Sequence, residues 1–78
     1  MNNNVENRTK EILSNIFNTS VDQISEDSSP DVIRDWDSLS HVKMIVALER
    51  EFNIEFKSSE VISMVSLKKI TETIRAYL

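Results

Sequence analysis

Residues 37–52 read DSLSHVKMIVALEREF, and this stretch decides the fold. Placed on a helical wheel at about 100° per residue, Met44, Ile45, Leu48 and Phe52 gather on one side. Leu39, Val42 and Val46 form a second stripe beside them. Asp37 or Ser38 supplies the N-cap, because a short oxygen-bearing side chain satisfies a backbone N–H that the first turn leaves unpaired. One core face needs an apolar arc of only about 100°. The second stripe therefore has two readings. It is a surface for a partner or a bound ligand, or it is covered by the neighbouring loop.

The segments on either side continue the helical pattern. Before the stretch, Val5, Ile12, Leu13, Ile16 and Phe17 share one helical face, with Asn3 or Asn4 placed to cap it. Residues 18–36, NTSVDQISEDSSPDVIRDW, are rich in turn formers and contain the single proline. Ser20-x-x-Gln23 has the form of a cap for one short turn. Val21, Ile24, Val32, Ile33 and Trp36 are expected to pin this loop to the bundle. Loops of this length in small domains are often functional. After the stretch, Ile54 and Phe56 plug a short connection, and Ser58 or Ser59 caps a short helix through Val61, Ile62 and Met64. Ser66 caps a last helix with Leu67, Ile70, Ile74, Tyr77 and Leu78 on its apolar face. The expected fold is all-α: a small four-helix bundle of three longer helices and one short one, with a long loop after the first helix. Residues 1–78 read as a single domain.

Composition removes several function classes. The chain has no cysteine, so it forms no disulfide and offers no thiolate ligand, and its one histidine argues against a zinc site. Zero glycine disfavours phosphate-cradling loops and most β architecture. Thirteen acidic against nine basic residues give a net charge of −4, which disfavours nucleic acid and favours docking on basic protein surfaces. No apolar run approaches the ~20 residues of a membrane span, and the N-terminus does not read as a signal peptide. A cytoplasmic monomer is the expectation.

Candidate chemistry centres on Ser38. A hydrolase would need His41, three residues on, as its base, together with a group orienting that base and an oxyanion hole; the chain offers no obvious third member. A half-buried structural histidine is the better reading of His41. Asp35 and Asp37 flank Trp36, and Glu49 and Glu51 flank Arg50; these read as docking or solvated charges, with a weak cation site at Asp35/Asp37 as the alternative. Ser38 itself is either an ordinary helix cap or an anchor for a covalent group. A phosphodiester would be favoured there by the unpaired N–H groups and the dipole of the helix start.

The stretch DWDSLSHVKMIVALEREFNIEF resembles the acyl carrier proteins. Asp22-Gln23-Ile24, the Asp37-Ser38-Leu39 motif, the Leu48–Phe52 helix end and a closing amphipathic helix follow in that family's order, from about Val5 to Leu78. The resemblance implies a four-helix bundle without catalysis of its own. Ser38 would receive a 4′-phosphopantetheine arm from coenzyme A through a phosphopantetheinyl transferase using Mg²⁺. The arm's thiol would hold acyl or aminoacyl groups as thioesters for acyl-loading and acyl-processing enzymes, as in fatty acid or polyketide biosynthesis. By the same resemblance Asp37, Leu39, Val42, Val46 and Glu49 are partner-recognition positions. Met44, Ile45, Leu48 and Phe52 are core positions lining a sheltering space. Asp35 stands where many fatty-acid carriers have glycine, and Lys43 and Arg50 stand on a helix that is strongly acidic in them. These departures look more like specialised stand-alone carriers of secondary metabolism, surface glycans or aminoacyl transfer. The alternative function is an unmodified interaction domain that uses the Leu39/Val42/Val46 patch.

Overall fold

The computed structural model describes residues 3–78, with side chains from Val5 onward. Four α-helices follow one another among the described residues: α1 Asn3–Phe17, α2 Ser38–Phe52, α3 Ser58–Ser63 and α4 Leu67–Tyr77. The described residues contain no strand. The capping side chains of Asn3 and Asn4 fall outside what is described. One apolar core joins all four helices and the long loop: Leu13 and Phe17 from α1, Met44, Ile45 and Leu48 from α2, Met64 after α3, and Leu67, Ile70 and Ile74 from α4. Ile24, Ile33, Trp36 and Phe56 complete it from the connections.

Helix ends in a chain without glycine need another residue that tolerates the left-handed conformation. Asparagine does this twice. Asn18 (φ 54°) follows α1 and Asn53 (φ 55°) follows α2. Asn is the side chain most willing to take this conformation after glycine, because its short amide bonds locally. The reversal lets Thr19 N–H reach Ser14 O at 3.2 Å and Ile54 N–H reach Glu49 O at 3.1 Å, satisfying carbonyls the helices leave open.

The long loop is fastened by its own backbone. Ser28 is buried, and its Oγ accepts from Ser25 N–H at 2.8 Å. Its carbonyl accepts from Leu67 N–H at 3.2 Å, and the Glu26 carbonyl accepts from Lys68 N–H at 3.3 Å. The loop thus pairs first-turn donors of α4 that have no intrahelical partner, while Ser66 Oγ takes Lys69 N–H at 3.1 Å. Ile24, Ile33 and Trp36 anchor the loop as expected, but Val21 and Val32 do not: Val32 is 71% exposed. A single 3-10 turn, Val21–Gln23, interrupts the loop, and Ser20 starts it without a side-chain cap.

Two further expectations need correction. α3 starts from Lys57, not from Ser58 or Ser59, because the Glu60 carboxylate reaches back to Lys57 N–H at 2.8 Å. Leu78 is 69% exposed, so the apolar face of α4 ends at Ile74 and the Tyr77 ring, which meets Phe56 edge-on at 5.7 Å.

Candidate functional site

Asp37 sets the start of α2. Its side chain accepts from Ser40 N–H at 2.8 Å, and its carbonyl takes His41 N–H at 2.8 Å. That bond to Ser40 N–H is the main reason the Asp37 carboxyl lies below its ordinary range. Ser38 is the first helical residue and is exposed, so the cap is Asp37, and the Ser38 hydroxyl is not consumed in capping.

An open groove of about 430 Å³ begins at Ser38. Its walls are Pro30 and Trp36 from the loop, Asp37, Ser38 and His41 at the start of α2, and Val61, Ile62 and Val65 from α3 and its end. Met44, Ile45 and Leu48, expected as core positions lining a sheltering space, are buried in the core but do not line this groove, and Phe52 is half-buried. α3 stands beside the start of α2 there, with the Val61 carbonyl 2.8 Å from His41 Nε2.

His41 holds this arrangement together. Trp36 Nε1–H donates to His41 Nδ1 at 3.0 Å, and His41 Nε2 lies 2.8 Å from the Val61 carbonyl. An accepting Nδ1 requires the proton on Nε2, which then donates to Val61. Both ring nitrogens are therefore occupied, and neither is placed to take a proton from Ser38. Trp36 also stacks on Phe17 at 4.7 Å, which ties the groove wall to α1.

The remaining sequence candidates lie outside the groove. Leu39, Val42 and Val46 are 66%, 56% and 43% exposed, so the loop does not cover the second stripe. Glu49 is half-buried, and its Oε2 accepts Phe56 N–H at 2.9 Å, a bond that staples the end of α2 to the following connection. The one sequence signal for this role is an acid near a helix end, seven residues before the N–H it accepts. Among the described residues no three His, Asp or Glu side chains gather to hold a metal, so Asp35 and Asp37 lack a third ligand. No described helix is long and apolar enough to cross a membrane.

The chain is 36% identical over 67 residues to the acyl carrier protein of Buchnera aphidicola subsp. Schizaphis graminum (strain Sg), covering 86% of this chain and 85% of that one. It is 31% identical over 75 residues to the acyl carrier protein of Buchnera aphidicola subsp. Baizongia pistaciae (strain Bp), covering 96% of each. No protein-family model matches. The chain belongs to the acyl carrier protein family.

Proposed function

We propose that this chain, as one domain over residues 1–78, carries acyl or aminoacyl groups on a 4′-phosphopantetheine arm attached to Ser38, and presents them to cytoplasmic biosynthetic enzymes. The observation that carries the reading is the exposed Ser38 hydroxyl on the rigid first turn of α2, at the mouth of a groove walled by Pro30, Trp36, Val61, Ile62 and Val65. Membership in the acyl carrier protein family supports it. The residues fit the group. Ser38 Oγ supplies the ester oxygen of a phosphodiester, and the apolar groove wall offers shelter to a flexible chain. When attached, the arm supplies the thiol that holds cargo as a thioester. Asp37 orients Ser38 by fixing the helix start, and Leu39, Val42 and Val46 offer apolar contact to the transferase and to loading and processing enzymes. The chain acts as a monomeric carrier without turnover of its own.

The exposed Leu39/Val42/Val46 stripe also favours a second reading, an unmodified interaction domain. Intact mass separates the two. Wild type and Ser38→Ala are incubated with coenzyme A, Mg²⁺ and a broad-specificity phosphopantetheinyl transferase, beside a control carrier. One added phosphopantetheine on the wild type alone supports the carrier. An unmodified, folded wild type beside a modified control favours the interaction domain.

A further inference from the structure

On the side of α2 away from the Ser38 groove lies a second one, open and about 670 Å³ in volume, between α1 and α2. Its apolar lining is Ile12 and Ile16 from α1 with Val42, Val46 and Ala47 from α2, and its charged lining is Lys43, Arg50 and Glu51. Ile12 and Ile16 are one helical turn apart, as are Val42 and Val46, so two apolar rows face each other along the groove. Lys43 and Arg50 are two turns apart on α2 and lie along the same edge. The one acid in the lining, Glu51, pairs with Arg8 across from α1. Among the described residues no carboxylate pairs with Lys43 or Arg50, both of which are exposed. A chain of net charge −4 therefore carries a locally basic apolar groove, while Asp35 and Asp37 make the start of the same helix acidic.

We propose that the α1–α2 groove docks an amphipathic helix of a partner protein whose apolar stripe is flanked by Glu or Asp. The apolar rows provide contact area, and the basic edge selects the sign of the partner's flanking charges. Unpaired and solvated, Lys43 and Arg50 can meet a carboxylate without breaking an internal ion pair. The docking itself requires no group on Ser38, so it is independent of the carrier reading.

The test uses the full chain and two synthetic helical peptides with the same leucine stripe, one flanked by glutamates and the other by lysines. Amide NMR shifts and titration calorimetry follow binding. The Glu-flanked peptide is expected to move the Ile12, Ile16, Val42 and Val46 signals and to bind roughly ten-fold tighter than the Lys-flanked one at low salt. In the Lys43→Glu/Arg50→Glu variant this preference reverses. Lys43→Gln/Arg50→Gln, which abolishes the preference without adding repulsion, guards against a reversal variant that misfolds. Ser38→Ala behaves as wild type, so failure of the arm-attachment reading and failure of this one show in different measurements. The proposal is overturned by no binding of the Glu-flanked peptide, by shifts that map elsewhere, or by indifference to both variants. Sedimentation showing a dimer that masks the same four residues also overturns it, by making a second copy the occupant.

Discussion

The indole N–H of Trp36 bonds to Nδ1 of His41, and that bond decides the tautomer through which His41 Nε2 meets the Val61 carbonyl. One side chain thereby joins the end of the long loop, the first turn of α2 and the middle of α3. These three segments wall the groove beside Ser38. In this arrangement histidine is a bracket for the groove.

A double-mutant cycle measures that bracket. Trp36→Phe keeps the stack on Phe17 but removes the donor, and is expected to cost about 1–2 kcal/mol by leaving Nδ1 unpaired and shrinking a buried ring. His41→Ala is expected to cost a similar amount. The double variant should fall short of the sum by about 1 kcal/mol in urea unfolding. Strict additivity would show that the two side chains do not work through a shared bond. Nitrogen NMR of the ring should show the proton on Nε2.

Glu60 and Tyr77 predict a stability profile that declines at both ends of the pH range. The Lys57 N–H, and then the Tyr77 hydroxyl, hold the Glu60 carboxyl below its ordinary range. The same bond to Glu60 raises the Tyr77 phenol. A lowered carboxyl gives stability that is present above the unfolded carboxylate range, about pH 4, and is lost as pH falls through the folded value. A raised phenol gives stability that is present below about pH 10 and is lost as pH rises through the folded value. Tyr77→Phe retains the ring against Phe56 and should flatten the alkaline decline while softening the acid one. Urea midpoints measured across pH check this; an unchanged alkaline limb in Tyr77→Phe would remove Tyr77 as its source. Asp37 adds to the acid limb by the same sign, and Asp37→Asn should keep the cap yet lose that contribution.

Asn53 carries a backbone prediction. At φ 55° the Cβ itself crowds the neighbouring backbone and costs energy unless the side chain bonds locally, and glycine, with no Cβ, has no such cost. Asn53→Ala is expected to lose about 1 kcal/mol, and Asn53→Gly to be neutral or slightly stabilising. Thermal unfolding of the two variants checks the assignment: Asn53→Ala should melt below wild type and Asn53→Gly at or slightly above it.

The four helices were legible because their signals are local: apolar spacing, and oxygen-bearing caps at Asp37 and Ser66. The left-handed Asn18 and Asn53 were legible in principle, since a chain without glycine must end its helices on something else. The start of α3 was obscured because the bond is made by Glu60 reaching back, with no cap-forming side chain at Lys57. Nothing in the sequence marks the carbonyls of Glu26 and Ser28 that pin the loop to α4, because every residue has a carbonyl. The site divides in the same way. Asp37-Ser38 stands out as a motif at a helix start, whereas the groove beside it depends on how α3 packs in three dimensions, and so Val61, Ile62 and Val65 line it while Met44 and Leu48 lie in the core.

Glu49 separates structure from docking. Its Oε2 accepts Phe56 N–H, so Glu49→Lys removes both a bond within the fold and a surface charge. That variant is expected to lose about 1–2 kcal/mol of stability, since a part-buried N–H is left without its acceptor. Glu49→Gln keeps an acceptor oxygen at the same place and should stay within about 0.5 kcal/mol of wild type. A partner enzyme that reads the charge will bind both variants more weakly, with the loss in Glu49→Gln shrinking as salt is raised. A partner that binds Glu49→Gln as well as wild type, and loses affinity only for Glu49→Lys, responds to the disturbed 53–57 connection or to the added positive charge. Unfolding curves and binding measured on the same samples distinguish the cases, and normal binding by both variants would remove Glu49 from the recognition surface.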